Sequence, residues 1–460
     1  MMESLFQEFD EVSAKQWKQK IQFDLKGADY NEKLVYKSLD GINIKPFYNT
    51  EDVEDSIKTP SPKNWNICEH LYVVSAEKTN KRALEVLSKG TESLWFIIPN
   101  EEISIEDLLK SIDLEKTIIY FSFSFFSENY FKRFREFLKG KKIQIFVQFD
   151  IVGNLARSGN WFHNLQKDHE ILDALFSNSE DFKSVISVDA TLYQNAGATI
   201  PQQLAYTLAH VNEYLNHFQE KQNFENFQPQ FLIASGPNYF FEIAKIKALR
   251  WLYATLASEY KIPETCHILA QPTKRNKTLY DFNVNLLRTT TESMSAVLGG
   301  ADTVYNMPYD AIYHKNNEFG DRIARNQLLV MKHEAYLDKV ANAAEGAYYI
   351  ENLSQQFAEM ALDIFKEIEK SGGFLKQLKE GVIQRKIKES ARKEQDQFDK
   401  GELVLIGTNK FENPQDKMKD ELELYPFLKQ NPRKTLIEPI LERRLSEQLE
   451  QERLKQEKAD

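Results

Sequence analysis

The groups best placed to do chemistry are polar residues that close short apolar runs. Asp150 follows the run 143–149, Asp189 ends the run 184–189, and Gln148 and Gln271 lie near the ends of 143–149 and 266–271. Carboxylates and amides in such places line binding sites, or hydrogen-bond one another across a filled mouth. Arg288, Arg322 and Arg325 have the planar donor geometry that suits a phosphate, with Glu292 and Asp321 as alternative ion-pair partners. His210 and His217 stand seven apart on one helical pattern, without a nearby cysteine or third histidine to complete a zinc set, so packing is the expected role. No Gly-x-Ser-x-Gly elbow and no His-Glu-x-x-His pair occurs.

The runs that carry these groups recur with a βα rhythm. Strand-like segments at 93–98, 117–123, 143–149, 184–189, 230–234, 266–271, 302–306 and 339–342 are mostly β-branched or aromatic and continuous rather than alternating. Parallel strands buried on both faces have that character. Helical patterns such as 201–217 and 239–260 separate them. Eight units predict an α/β fold, a (β/α)8 TIM barrel over residues 61–370. A doubly wound open sheet is the alternative, but no Gly-x-Gly-x-x-Gly or Walker loop follows any run.

Residues 1–60 read as an N-terminal helix-hairpin arm. Ser13 and Gln16 form a capping-box pattern, Trp17, Ile21 and Leu25 make one apolar stripe, and Gly27 closes it. Asp40-Gly41 between 34–39 and 42–47 signals a type I′ hairpin, and Thr59-Pro60-Ser61-Pro62 marks a boundary. So small a unit must dock on the barrel or on another chain. Residues 371–460 form a C-terminal helical extension that ends in a charged helix with Leu441, Leu445 and Leu449 on one stripe.

The chain has 460 residues, 42% hydrophobic and 28% charged, with a net charge of −10. That composition is globular, and its acidic balance offers no footprint for nucleic acid. Two distant cysteines, Cys68 and Cys266, make no disulfide framework and suggest a reducing compartment. No run reaches membrane-spanning length and Met1-Met2-Glu3-Ser4 opens no signal core, so a cytoplasmic location and no membrane partner are expected.

Several blocks stand in a telling order. They are Trp17-Lys18-Gln19-Lys20-Ile21, Leu25-Lys26-Gly27-Ala28-Asp29-Tyr30, Gln194-Asn195-Ala196-Gly197-Ala198-Thr199 and Asn285-Leu286-Leu287-Arg288-Thr289-Thr290-Thr291-Glu292. Leu298-Gly299-Gly300-Ala301-Asp302, Asp321-Arg322-Ile323-Ala324-Arg325-Asn326, Ala344-Glu345-Gly346-Ala347-Tyr348-Tyr349-Ile350-Glu351 and Gly407-Thr408-Asn409-Lys410-Phe411 follow. Across most of residues 13–411 this resembles the methylmalonyl-CoA mutases, adenosylcobalamin-dependent isomerases. The family's cobalamin signature Asp-x-His-x-x-Gly does not occur, because none of the eight histidines has an aspartate two positions before it. Matched to the family's Tyr-His-Met-Gln segment, the histidine that contacts the substrate carbonyl falls on Leu192 and the glutamine on Gln194. The resemblance therefore implies the small, non-cobalamin-binding subunit of a heterodimer. Its large catalytic partner would hold adenosylcobalamin and interconvert methylmalonyl-CoA and succinyl-CoA. No catalytic, cofactor-binding or metal residue is then assigned here. Gln148, Asp150, Asp189, Leu192, Gln194, Gln271 and Arg288 remain as barrel-mouth residues, and Leu192 and Tyr193 are expected to plug part of that mouth. The rival is an independent acyl-CoA mutase barrel served by a separate cobalamin-binding chain.

Overall fold

A computed structural model describes residues 8–10, 12–53, 61–221, 224–428 and 432–459. The hairpin strands β1 (Tyr36–Lys37) and β2 (Asn43–Ile44) precede eight parallel strands. These are β3 (Asn66–Tyr72), β4 (Ser93–Ile98), β5 (Ile118–Phe123), β6 (Gln144–Phe149), β7 (Ser184–Asp189), β8 (Gln230–Ser235), β9 (His267–Pro272) and β10 (Thr303–Tyr305). They close into a barrel in sequence order, with β10 pairing back onto β3. The expected TIM barrel is present.

Its first and last strands differ from expectation. Segment 339–342 is a run of bends and turns with Val340 exposed, and it pairs with nothing in the barrel. The missing strand is β3, whose sequence Asn-Ile-Cys-Glu-His-Leu-Tyr looks too polar to be buried. Its polar members are satisfied individually. Glu69 faces outward onto Arg325, whose Nη1 lies 3.1 Å from both carboxylate oxygens, and His70 enters the lumen. An ion pair between elements 256 residues apart leaves no local signature.

The arm helix Ala14–Asp24 carries the expected Ser13–Gln16 capping box. The hairpin is shorter than expected, and Leu39-Asp40-Gly41 is a three-residue loop. Only Gly41 has a positive φ (84°), so the turn is not the type I′ form, which needs positive φ at both central residues. A side chain at Gly41 would also meet Met360 Cε at 3.0 Å. Asp40 Oδ1 accepts from the amide of Ile200, 2.6 Å away, at the start of helix Ile200–Phe218. Burial raises that carboxyl to about 6. The Thr59-Pro60 part of the expected boundary lies outside the described residues.

After helices Tyr348–Lys370, Phe374–Lys379 and Val382–Asp399, the described residues of 400–446 form no regular helix or sheet strand. Part of this stretch forms a strap along the barrel's C-terminal rim. Leu436 N bonds to Gly159 O, Ile440 N to Ala156 O, Arg443 N to Asn195 O and Leu445 N to Arg275 O, at 2.8–3.1 Å. Gly159 (φ 78°) admits this approach, since a Cβ there would stand 2.8 Å from the Ile437 carbonyl.

The last helix, Glu447–Ala459, starts after Leu441 and Leu445, so the expected leucine stripe does not form. Carboxylates anchor it instead. Glu450 bonds to Leu279 N, Ser446 and Arg444, while Glu457 takes the amides of Met418 and Lys419 and the hydroxyl of Tyr280. Arg444 and Glu450 are both buried, 2.6 Å apart. Removing one member of such a pair strands the other's charge, at a cost of about 3–5 kcal/mol. Arg444→Ala is expected to lose about that much stability in urea unfolding, and to expose the 400–459 region to limited proteolysis. A loss under about 1 kcal/mol with unchanged proteolysis would show that other contacts hold the segment.

Candidate functional site

Alternation along the strands sends one set of side chains into the lumen. The registers place His70, Trp95, Tyr120 and Phe146 side by side on β3 to β6. Tyr305, His267, Leu269 and Leu232 complete the ring from β10, β9 and β8. Phe146 stacks on His267 at 4.1 Å between centroids, Tyr120 on Phe146 at 5.2 Å, and His70 meets Trp95 at 4.9 Å. Trp95 and Tyr305 pack edge to face at 5.9 Å. The Tyr120 hydroxyl reaches His267 Nε2 at 2.8 Å and Thr303 Oγ1 at 2.7 Å. β5 and β9 are diametrically opposite in the strand order, so the first of these bonds spans the lumen. The barrel is full of rings.

Above this layer, Trp95 Nε1 donates to Ser122 Oγ, which donates to Gln148 Oε1. Gln148 thus lies on the lumen network, and its Nε2 has no partner among the described residues. Asp150 caps helix Ile151–Ser158 through Gly153 N. Its Oδ1 also accepts from the Tyr214 hydroxyl and bonds His210 Nε2, each at 2.8 Å, and its Oδ2 accepts from Asp189 N. Burial pushes the Asp150 carboxyl up, but His210 and the converging donors outweigh it and hold it below the usual range. His210 Nδ1 meets the Tyr193 hydroxyl at 2.9 Å. This buried chain orders structure rather than facing a ligand.

Asp189 pairs with Arg157 at 2.7 Å and takes the amide and hydroxyl of Thr191. Asp150 and Asp189 thus meet at adjacent strand ends through the Asp189 amide, while among the described residues Gln148 bonds only Ser122. Gln271 sits opposite Ala234 and has no hydrogen bond into these networks among the described residues. Arg288 lies apart, bonded to Thr278 Oγ1, Asn285 Oδ1 and Ile406 O. Leu192 and Tyr193 do not fill the lumen, because they belong to the core between barrel and helices. Gln194 lines a cleft of about 440 Å³ beside the hairpin and Val382–Asp399.

The three arginines do not converge on a phosphate. Arg325 is spent on Glu69, and Arg322 lies over Phe319 at 5.6 Å. Glu292 pairs with Lys277 instead. His217 bonds Asp173 at 2.6 Å, apart from His210. Sequence reasoning missed the lumen rings and the Arg157–Glu442–Asn195 contact that ties the strap to β7's end. The rings had a signal in the pairs Trp95/Ile97, Tyr120/Ser122 and Phe146/Gln148, two apart on strands read as uniformly buried.

Residues 108–457 match the family model described as methylmalonyl-CoA mutase. The chain belongs to the methylmalonyl-CoA mutase family. It is 32% identical to the "Methylmalonyl-CoA mutase small subunit" of Porphyromonas gingivalis, over 89% of this chain and 71% of that protein. The Streptomyces virginiae small subunit is 26% identical over 83% of this chain and 67% of its own length. The mitochondrial methylmalonyl-CoA mutase of Bos taurus is 26% identical over 89% of this chain and 62% of its own. This chain is a small-subunit homologue.

Methylmalonyl-CoA mutases generally depend on cobalamin, and the residues at this mouth do not fit that group. The strap occupies the rim from β6 to β9, with Glu442 fastened to Arg157 and Asn195. The histidines near it are already used, His70 against Trp95 and Tyr305, and His210 against Asp150 and Tyr193. Among the described residues, no cluster of three or more His, Cys, Asp or Glu is arranged to hold a metal ion, and no helix is long and apolar enough to cross a membrane.

Burial holds His70 down to about 4, with a smaller contribution from Lys274. The unfolded chain takes up that proton near 6.5, so between pH 6.5 and 4 the unfolded state binds more protons. Stability should therefore fall as pH drops through that window, by an amount on the order of 3 kcal/mol for this residue. Chemical denaturation of the protein and His70→Phe across pH 4–7.5 checks this. The variant's curve should be flatter; parallel curves would mean His70 is protonated equally in both states.

Proposed function

We propose that this chain is the small, non-catalytic subunit of a heterodimeric methylmalonyl-CoA mutase. In this reading a larger partner holds adenosylcobalamin and carries the interconversion of methylmalonyl-CoA and succinyl-CoA, in the cytoplasm. The filled lumen is the observation that supports it best. An acyl-CoA that reaches a barrel's mouth along the axis needs a bore, and here rings from β3, β4, β5, β6, β9 and β10 meet across it. Leu192, at the position matched to the family's carbonyl-contacting histidine, has neither proton nor lone pair to offer and is buried in the outer core.

The arm supplies a second line of support. Helix Ala14–Asp24 has no buried residue, with Trp17 49% and Phe23 77% exposed, while among the described aromatic rings Trp17 meets only the edge of Phe47. Covering such side chains stabilises by roughly 1.5–3 kcal/mol each. A partner chain is the cover this reading assigns.

Two measurements test it. The purified chain, supplied with adenosylcobalamin and methylmalonyl-CoA, should show no turnover, and Leu192→His should not create any. Turnover by the chain alone, or with only a separate cobalamin-binding chain, would favour the independent-mutase reading. Deleting residues 1–28 should weaken heterodimer formation about tenfold or more in a titration, by loss of the exposed apolar stripe, and leave the chain's own melting temperature nearly unchanged. Unchanged affinity would place the arm on its own barrel.

A further inference from the structure

Outside the barrel, two histidines with unspent ring nitrogens stand beside each other on neighbouring helices. His169 lies on helix Leu165–Phe176 and His217 on helix Ile200–Phe218, and Phe176 and Phe218 stack between these helices at 4.1 Å. The two imidazole centroids are 4.8 Å apart. Both rings are held by neighbours, His169 by the edge of Trp161 at 5.7 Å and His217 by Phe218 at 4.9 Å. Both keep contact with solvent, and the His217 side chain is 26% exposed.

Their hydrogen bonds decide which nitrogen is left over. His169 Nδ1 is 2.7 Å from the Leu165 carbonyl, which can only accept, so the proton sits on Nδ1 and the lone pair on Nε2. Burial holds His169 below the usual imidazole range, so that neutral form prevails at pH 7. His217 Nε2 is 2.6 Å from Asp173 Oδ1. Burial pushes the Asp173 carboxyl up, but Lys221 and His217 outweigh it and keep the group ionised. His217 Nε2 therefore donates, and in the neutral ring the lone pair is on Nδ1. Neither His169 Nε2 nor His217 Nδ1 has a hydrogen-bond partner among the described residues.

An imidazole whose other nitrogen donates to a carboxylate or a carbonyl is the usual form of a metal-ligating histidine. Two such rings on one ion, at about 2.0–2.1 Å per nitrogen and an angle of about 90–110°, would have centroids roughly 4.5–5.2 Å apart. The observed separation falls in that range. Asp173 and Lys221, 2.8 Å apart, offset each other's charge, so nitrogen lone pairs and not a net negative field are what the place offers. That favours a transition ion over magnesium or calcium, which take oxygen ligands.

We propose that His169 and His217 together bind one divalent first-row transition-metal ion of the zinc or copper kind, with water completing its coordination and Asp173 orienting His217. Two protein ligands are fewer than the three or four of structural and catalytic zinc sites, so the ion is exchangeable. It clamps one outer helix to the other. The site is built by this chain alone and stands whether or not the barrel is catalytic.

Calorimetric titration of the full chain with zinc, and with magnesium as the oxygen-seeking control, tests it. His169→Phe and His217→Phe should each weaken zinc binding about tenfold or more, because phenylalanine keeps the ring and removes the lone pair. Asp173→Asn should weaken it about tenfold, the effect of losing an orienting partner. Zinc should raise the melting temperature of the parent chain and of neither phenylalanine variant. Equal melting temperatures without metal show that the variants are folded, and zinc held by the remaining histidines is common to all of them. Zinc binding that is the same in the parent and both phenylalanine variants, or magnesium binding as tightly as zinc, would overturn the proposal. So would the absence of both heat and stabilisation with zinc.

Discussion

The hydrogen bond from Tyr120 to His267 across the full width of the barrel is the constraint around which the interior is arranged. It fixes the Tyr120 ring, on which Phe146 stacks, and Phe146 in turn stacks on His267, closing a three-membered group. The same hydroxyl meets Thr303, tying the short last strand to the middle of the barrel. Close-packed interiors do not tolerate an empty bore lined by apolar atoms, because the lining atoms would lose dispersion contacts on one side. Rings of this size satisfy that requirement and at the same time remove a path for a long, thin substrate.

Outside the lumen, polar groups perform work that apolar contacts do elsewhere. Asp150 joins a helix cap, two buried hydroxyls and a histidine into one chain at the end of β6. The terminal helix is held by Glu450 and Glu457 against backbone amides, Arg444 and Tyr280, not by leucines. Charge-assisted bonds to ionised groups are stronger than neutral ones, and a buried carboxylate needs them to remain charged. The strap is thereby held on the rim, where it forms one wall of a cavity on the C-terminal face.

The fold class was legible because seven of the strands are apolar runs with parallel-sheet character, and helix Tyr239–Tyr260 falls on the bounds its periodicity suggests. β3 was hidden because Glu69 and His70 make a buried strand look polar, and their partners, Arg325 and Trp95, are far from them in sequence. Segment 339–342 resembles a strand through Val340 and its neighbours, but nothing in the sequence says that no edge remains for it once β10 meets β3. Asp150 and Asp189 stand at strand ends, as the apolar runs before them indicate. Arg288 does not join them, because its three partners are oxygens of Asn285 on its own helix and of Thr278 and Ile406 rather than carboxylates. Leu192 is no part of the plug for a reason of direction: helix Thr191–Ala196 turns it into the outer core.

The central claim is that the lumen admits no acyl-pantetheine arm. The most direct measurement is the stoichiometry with which the heterodimer proposed for this chain binds a non-reactive acyl-pantetheine. One molecule bound per heterodimer is the result expected if only the partner's barrel is open. Two molecules bound, the second lost when this chain is replaced by a variant with a further bulky side chain at Ala234 or Leu232, would contradict it.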